Sequence, residues 1–151
     1  MRLFLIIVLA ATVAALLPAV AGADRVYHSE HLSLAPVSGA PLRSGFVENI
    51  KAEGPMVYAH EIFVLNGARA RTTYTVTRHV FFLDPECSGQ VVFPSDVATL
   101  RTNASGNARG DVFVRPAEVE GFEGVHGVMW TVQSSSGAVA YRTRCTAVTL
   151  D

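Results

Sequence analysis

The stretch Thr72-Thr73-Tyr74-Thr75-Val76-Thr77-Arg78-His79-Val80-Phe81-Phe82-Leu83 decides the fold class. Tyr74, Val76, Val80 and Phe82 fall on one face of an extended chain, and Thr73, Thr75, Thr77 and His79 on the other. That two-residue period, filled by β-branched and aromatic side chains, is the mark of a half-buried strand. Arg78 is the one misfit, a charge on the apolar face.

Working outward, Met56 to Leu65 is a second strand, and Asn66-Gly67 followed by Ala68 to Arg71 joins the two. Asn-Gly between two alternating runs predicts a β-hairpin. In the earlier strand His60, Ile62 and Val64 share a face and Glu61 lies on the other. Further strands are expected over Val26 to Leu34, Gly45 to Ala52, Gln90 to Phe93, Ala98 to Thr102, Ala108 to Arg115, Gly127 to Gln133 and Val139 to Leu150. Gly, Pro, Asn and Ser break the chain between them, as turns require. Val128, Trp130 and Val132 form one face; Val139, Tyr141 and Cys145 form one face of the last strand, with Trp130 expected in the core. A helical turn is expected near Ala117 to Glu120, and no stretch after the leader sustains a helical period.

Eight or nine short strands at this spacing predict an all-β domain. The expected architecture is an antiparallel two-sheet sandwich, immunoglobulin-like or related, with a small β-barrel as the alternative. Thr102-Asn103-Ala104-Ser105-Gly106-Asn107-Ala108 resembles turns common in bacterial immunoglobulin-like sandwiches. The resemblance covers seven residues and implies only a hairpin.

At the start of the 151-residue chain, Met1-Arg2 is followed by an apolar run from Leu3 to Leu17, broken only at Thr12, and then by Pro18. Ala19-x-Ala21 and Ala21-x-Ala23 supply small residues at the spacing of a signal peptidase site. The run is shorter than a spanning helix needs. Residues 1–23 are therefore expected to be a signal peptide and residues 24–151 a single exported domain, extracellular or periplasmic. No membrane partner is expected after cleavage. Cys87 and Cys145, the only cysteines, are expected to form a disulfide in that oxidising compartment. Closing so long a loop is worth about 4 kcal/mol in the chain-entropy model.

Charge excludes one class of partner. Twelve basic and thirteen acidic residues give a net charge of −1, and no basic stripe runs along the sequence, so nucleic acid is not expected. The expected partner is an extracellular protein or a glycan, and no cofactor is expected. Arg43, Arg69, Arg71 and Arg78 are candidates for a modest binding surface near the first hairpin.

Catalytic and metal chemistry find little footing. His60, His79 and His126 are the candidate metal ligands, but their spacing is not that of a ligand set. His28 and His31 are three apart on a strand and point to opposite faces. Glu118, Glu120, Glu123 and His126 form an acidic loop without the Asp and Asn register of calcium loops. There is no Gly-x-Ser-x-Gly elbow, and Ser134 to Ser136 read as a turn. Arg109-Gly110-Asp111 matches an adhesion tripeptide but sits at a strand start; Asn103-Ala104-Ser105 matches a glycosylation acceptor in a turn.

The expected function is thus an exported, non-catalytic sandwich that binds a partner or serves as a structural module. A small secreted hydrolase or metal-binding enzyme is the first alternative, and requires His60, His79 or His126 to converge with a carboxylate. A secreted inhibitor or toxin-like protein is the second, with Pro116 to Gly127 as its exposed loop. Mass spectrometry of the exported protein should give a first residue of Gly22 or Asp24; a chain retaining Met1 refutes the leader.

Overall fold

The computed structural model describes residues 27–52 and 59–150. The signal peptide expectation, the Gly54-Pro55 turn and Met56 to Tyr58 lie outside them. Among the described residues ten strands occur in order: β1 (Tyr27–Ser33), β2 (Ala35–Pro36), β3 (Ser44–Ala52), β4 (Ala59–Asn66), β5 (Thr73–Phe81), β6 (Phe93–Arg101), β7 (Ala108–Val114), β8 (Gly124–Ser134), β9 (Val139–Arg142) and β10 (Thr146–Leu150). A single 3₁₀ turn, Pro116–Glu118, is the one helical element among the described residues. One sheet runs β1-β3-β4-β7; the other runs β2-β9-β8-β5-β6, with β10 beside the first half of β8. All described pairings are antiparallel. The chain is an all-β two-sheet sandwich, and the sheets do not close into a barrel.

Alternation along each strand builds the core. Leu32, Val47, Phe63 and Leu65 point inward from the four-stranded sheet and meet Tyr74, Val76, Leu100, Trp130, Val132 and Tyr141 from the other. Burying side chains of this size contributes roughly 1.5–3 kcal/mol each for Val, Leu and Phe. Tyr141 donates its hydroxyl proton to the Pro41 carbonyl at 2.7 Å, so the Tyr74 hydroxyl, 3.3 Å away, donates to the Tyr141 oxygen. Burial, reinforced by Tyr74, pushes the Tyr141 phenol well above its ordinary pKa.

Two expected hairpins are not formed. β4 and β5 do not form a hairpin: β4 pairs with β3 and β7, and β5 with β6 and β8, in the other sheet. The linker that should have closed the hairpin bonds instead to the 102–107 turn, through Ala68 N to Gly106 O, Arg71 N to Asn103 O and Thr72 N to Thr102 Oγ1. It thereby carries the chain over the end of the sandwich. The 102–107 turn is likewise a cross-sheet connection, since β6 and β7 lie in different sheets. Gly106 has φ +76°, and a Cβ there would lie 2.0 Å from the Ala68 carbonyl oxygen. The close approach of the two crossing turns requires glycine.

Strand limits shift for related reasons. Pro94, expected to interrupt, lies inside β6, which is an edge strand and tolerates a missing donor. The bulge falls three residues later, at Val97, where Val76 pairs with Ala98 and Thr77 with Asp96. The last expected strand divides into β9 and β10, because the Thr143 side chain enters the ladder and accepts from the Trp130 N–H at 3.0 Å.

Cys87 and Cys145 are disulfide-bonded across 58 residues. The bond ties the turn after β5 to the corner between β9 and β10. Gly127 lets that turn lie flat on β8: a Cβ would meet the Asp84 carbonyl oxygen at 2.2 Å and Cys87 Sγ at 2.7 Å. In urea unfolding, Cys87→Ser/Cys145→Ser should lose about 4 kcal/mol, the loop-closure value for this span; an unchanged midpoint would mean that the crosslink does not constrain the unfolded chain.

Candidate functional site

Two rows of polar residues face each other across the middle of the sandwich. In the four-stranded sheet, Glu30, Asn49 and Glu61 are register partners on β1, β3 and β4. In the other sheet, Ser95, Arg78 and Trp130 are partners on β6, β5 and β8. Glu61 is 2 % exposed. Its Oε1 accepts from Arg78 Nη1 at 2.8 Å and its Oε2 from Trp130 Nε1 at 3.1 Å. The charge that misfits β5 is therefore answered by a charge that misfits the inner face of β4. Glu30 accepts from the Thr146 hydroxyl and lies 3.8 Å from Arg144.

This layer forms the floor of a cavity. Above it, toward the end where β3, β5 and β7 finish and β4 and β8 begin, the sheets part around a space of about 230 Å³. Val80, Val114, Val128, Val148 and Leu150 make its walls, and Val119 and Phe122 its cover. Asn49, Glu61, Arg78 and Trp130 line the polar side. Asn49 is 2 % exposed, and its Oδ1 has no hydrogen-bond partner among the described residues. An unanswered buried acceptor costs roughly 1–3 kcal/mol.

His126 holds the cover in place. It is 1 % exposed, on the inner face of β8. The Leu83 N–H donates to Nδ1 at 3.1 Å, so the ring proton resides on Nε2, which donates to the Phe122 carbonyl at 2.9 Å. One neutral imidazole thus fastens both the turn after β5 and the segment that roofs the cavity. Leu83 adopts φ 52° and Cys87 φ 51°, conformations that cost of order 1–3 kcal/mol each and persist where surrounding bonds hold them. Here the His126 ring and the disulfide do so.

The sequence candidates are dispersed. His60 lies on the outer face of the four-stranded sheet, 3.0 Å from Asp111 and stacked on Phe113 at 4.0 Å between ring centres. His79 is on the outer face of the other sheet, 2.8 Å from Thr131 Oγ1, and burial pushes its pKa down. His126 is inside, so the fold does not bring these three histidines together. His31 pairs with Glu48 at 2.8 Å, and Glu48 is held below its ordinary pKa chiefly by the Ser29 hydroxyl. His28 lies on β1, and its side chain is outside the described set.

Among the remaining motifs, Glu118, Glu120 and Glu123 are exposed and His126 is buried, with Glu118 and His126 both among the residues lining the cavity. Among the described residues no three His, Cys, Asp or Glu side chains gather at metal-binding distance. Ser134 and Ser136 bond to each other at 2.9 Å in their turn. Arg109-Gly110-Asp111 is extended within edge strand β7, not at a loop tip. Asn103 is exposed, and its Oδ1 accepts from the backbone of Ser105 and Asn107. Of the four candidate arginines, Arg43, Arg69 and Arg71 are exposed together at the far end, and Arg78 is inside.

Sequence reasoning missed Glu61 and Asn49 as a pair of inward polar residues. Their signal was present: Glu61 shares a strand face with Phe63 and Leu65, and Asn49 with Val47. Both oxygens of Glu61 are occupied by donors, so the carboxylate serves as an anchor rather than a free base. Compared with known proteins, the chain matches no family model, no curated protein and no solved structure.

The ion pair yields a double-mutant test. Arg78→Met leaves Glu61 charged in a buried site and should destabilise by about 3–5 kcal/mol. Glu61→Leu/Arg78→Met removes both charges and should recover most of that loss in urea unfolding; additive losses would show that the two side chains do not interact.

Proposed function

We propose that this chain is an exported, non-catalytic binding module whose ligand enters the cavity between the sheets. The observation that carries the reading is Asn49: a buried acceptor, unanswered among the described residues, between the Glu61–Arg78 pair and cavity walls that are mainly Val, Leu, Phe and Trp. Such a site favours a small, neutral, largely apolar molecule with one hydrogen-bond donor, a hydroxyl or an amide N–H. Arg78 already neutralises Glu61, and the other carboxylate in the lining, Glu118, is exposed to solvent, so the buried polar side offers no free cation or anion to an ionic ligand. A cavity of about 150 Å³ holds benzene, and the volume of about 230 Å³ here suits a single substituted ring or a short branched chain.

Export rests on the leader and is compatible with the disulfide. Binding is favoured over catalysis because the histidines point into three different environments. It is favoured over an inhibitor because the 116–123 segment folds back over the cavity through Phe122.

Trp130 is the only tryptophan and lines the cavity, so its fluorescence reports occupancy directly. Benzyl alcohol should shift the emission and bind about tenfold more tightly than toluene, since a donor to Asn49 recovers roughly 1–3 kcal/mol. Asn49→Leu should abolish that preference while leaving toluene binding intact. Unchanged Trp130 emission with either compound defeats the proposal.

A further inference from the structure

The connecting segments at the end opposite the cavity are residues 34–43, which include the two-residue β2, 67–72, 102–107 and 135–138, and none of them contains Asp or Glu. Five arginines are exposed on these links or on the strand ends beside them: Arg43, Arg69, Arg71, Arg101 and Arg109. The backbone gathers them. Arg43 N bonds to Asn66 O, beside the link that holds Arg69 and Arg71. Arg71 N bonds to Asn103 O, and Arg101 pairs with Thr73 just after that link. Arg109 pairs with Val64, two residues before the end of β4. Among the described residues none of the five is ion-paired to a carboxylate. The cavity end is the reverse, with Asp84, Glu86, Glu118, Glu120 and Glu123 on its links. A net charge of −1 therefore conceals a molecule that is basic at one end and acidic at the other.

A recess of about 280 Å³ opens at the basic end. Arg69 and the hydroxyls of Ser38, Thr72, Tyr74, Ser134 and Ser136 supply its polar lining, and the rest is apolar, with Val37, Pro41 and Val139 among it. Guanidinium forks bind carboxylate and sulfate oxygens in bidentate fashion, and hydroxyls exchange hydrogen bonds with other hydroxyls. The two features together suit a partner that carries fixed anions on a polyhydroxylated scaffold. A single-stranded nucleic acid would also need aromatic platforms for its bases. Phe82, Leu83, Val91, Val92, Phe113 and Val125, the exposed large apolar side chains among the described residues, all lie toward the cavity end.

We infer that the arginine end is a docking surface for an acidic polysaccharide, with Arg69 and the recess beside it taking a charged sugar unit. This surface is independent of the cavity, and either can fail without the other.

The test is binding of the full chain to heparin, a sulfated polymer, and to polygalacturonate, a carboxylated one, by calorimetry. Either polymer should bind at about 50 mM salt, with affinity falling linearly on a log–log salt plot, as counterion release requires. Whichever binds more tightly identifies the anion. Arg69→Gln/Arg71→Gln/Arg101→Gln should weaken binding at least about tenfold and flatten the salt slope. Arg115→Gln, at the cavity end, should leave binding unchanged, and circular dichroism should show all variants folded. Absence of binding to both polymers overturns the inference, as does equal loss in Arg115→Gln or tighter binding to a single-stranded oligonucleotide.

Discussion

The sandwich depends on the Glu61 carboxylate, which receives Arg78 and Trp130 from the opposite sheet. Two buried charges are tolerable only if each is answered, because an unpaired ion in a low-dielectric interior carries a penalty of several kcal/mol. That requirement fixes the relative position of the sheets more tightly than apolar contacts can, since dispersion and hydrophobic burial are non-directional. The specificity has a cost in stability, as well-packed apolar residues of equal volume would serve the core at least as well. Here the same polar row also gives the cavity its floor.

Around that row the molecule divides into two halves of different character. Toward the far end the interior is closed by Phe63, Leu65, Tyr74, Val76, Val132 and Tyr141. Toward the other end the sheets separate, and the 116–123 segment covers the gap, fastened by a single buried imidazole. The disulfide sits at this open half. Its bond from Cys87 to Cys145 and the Leu83 N–H to His126 bond act on the same turn. The surface repeats the division, with arginines over the closed half and carboxylates over the open one.

Much of the architecture was legible in the strands themselves. The two-residue period of β5 and the clean turn residues pointed to an all-β chain, and the even cysteine count pointed to the crosslink that joins Cys87 to Cys145. Partner choice was not legible. Asn66-Gly67 promised a hairpin, and the chain instead crosses between sheets, because the apolar faces of β4 and β5 are satisfied equally by lying side by side or by lying face to face. Local turn chemistry cannot distinguish the two; the bonds from Ala68 and Arg71 to a turn some thirty-five residues later do. The candidate site shows the same boundary. Arg78 was visible as an anomaly on its own strand, but its partner Glu61 lies in a segment where it reads as an ordinary polar alternate.

The sequence by itself determined local period, the redox-linked crosslink and the presence of one charge on a buried face, because these follow from residue type and from neighbours along the chain. Tertiary structure decided which sheet each strand joins, which carboxylate meets Arg78, that Asn49 faces a cavity, and that arginines scattered from position 43 to position 109 share one end. The physical reason is that pairing energies between strands are nearly degenerate in sequence, whereas the demand that every buried charge find its counter-charge is a constraint in three dimensions only.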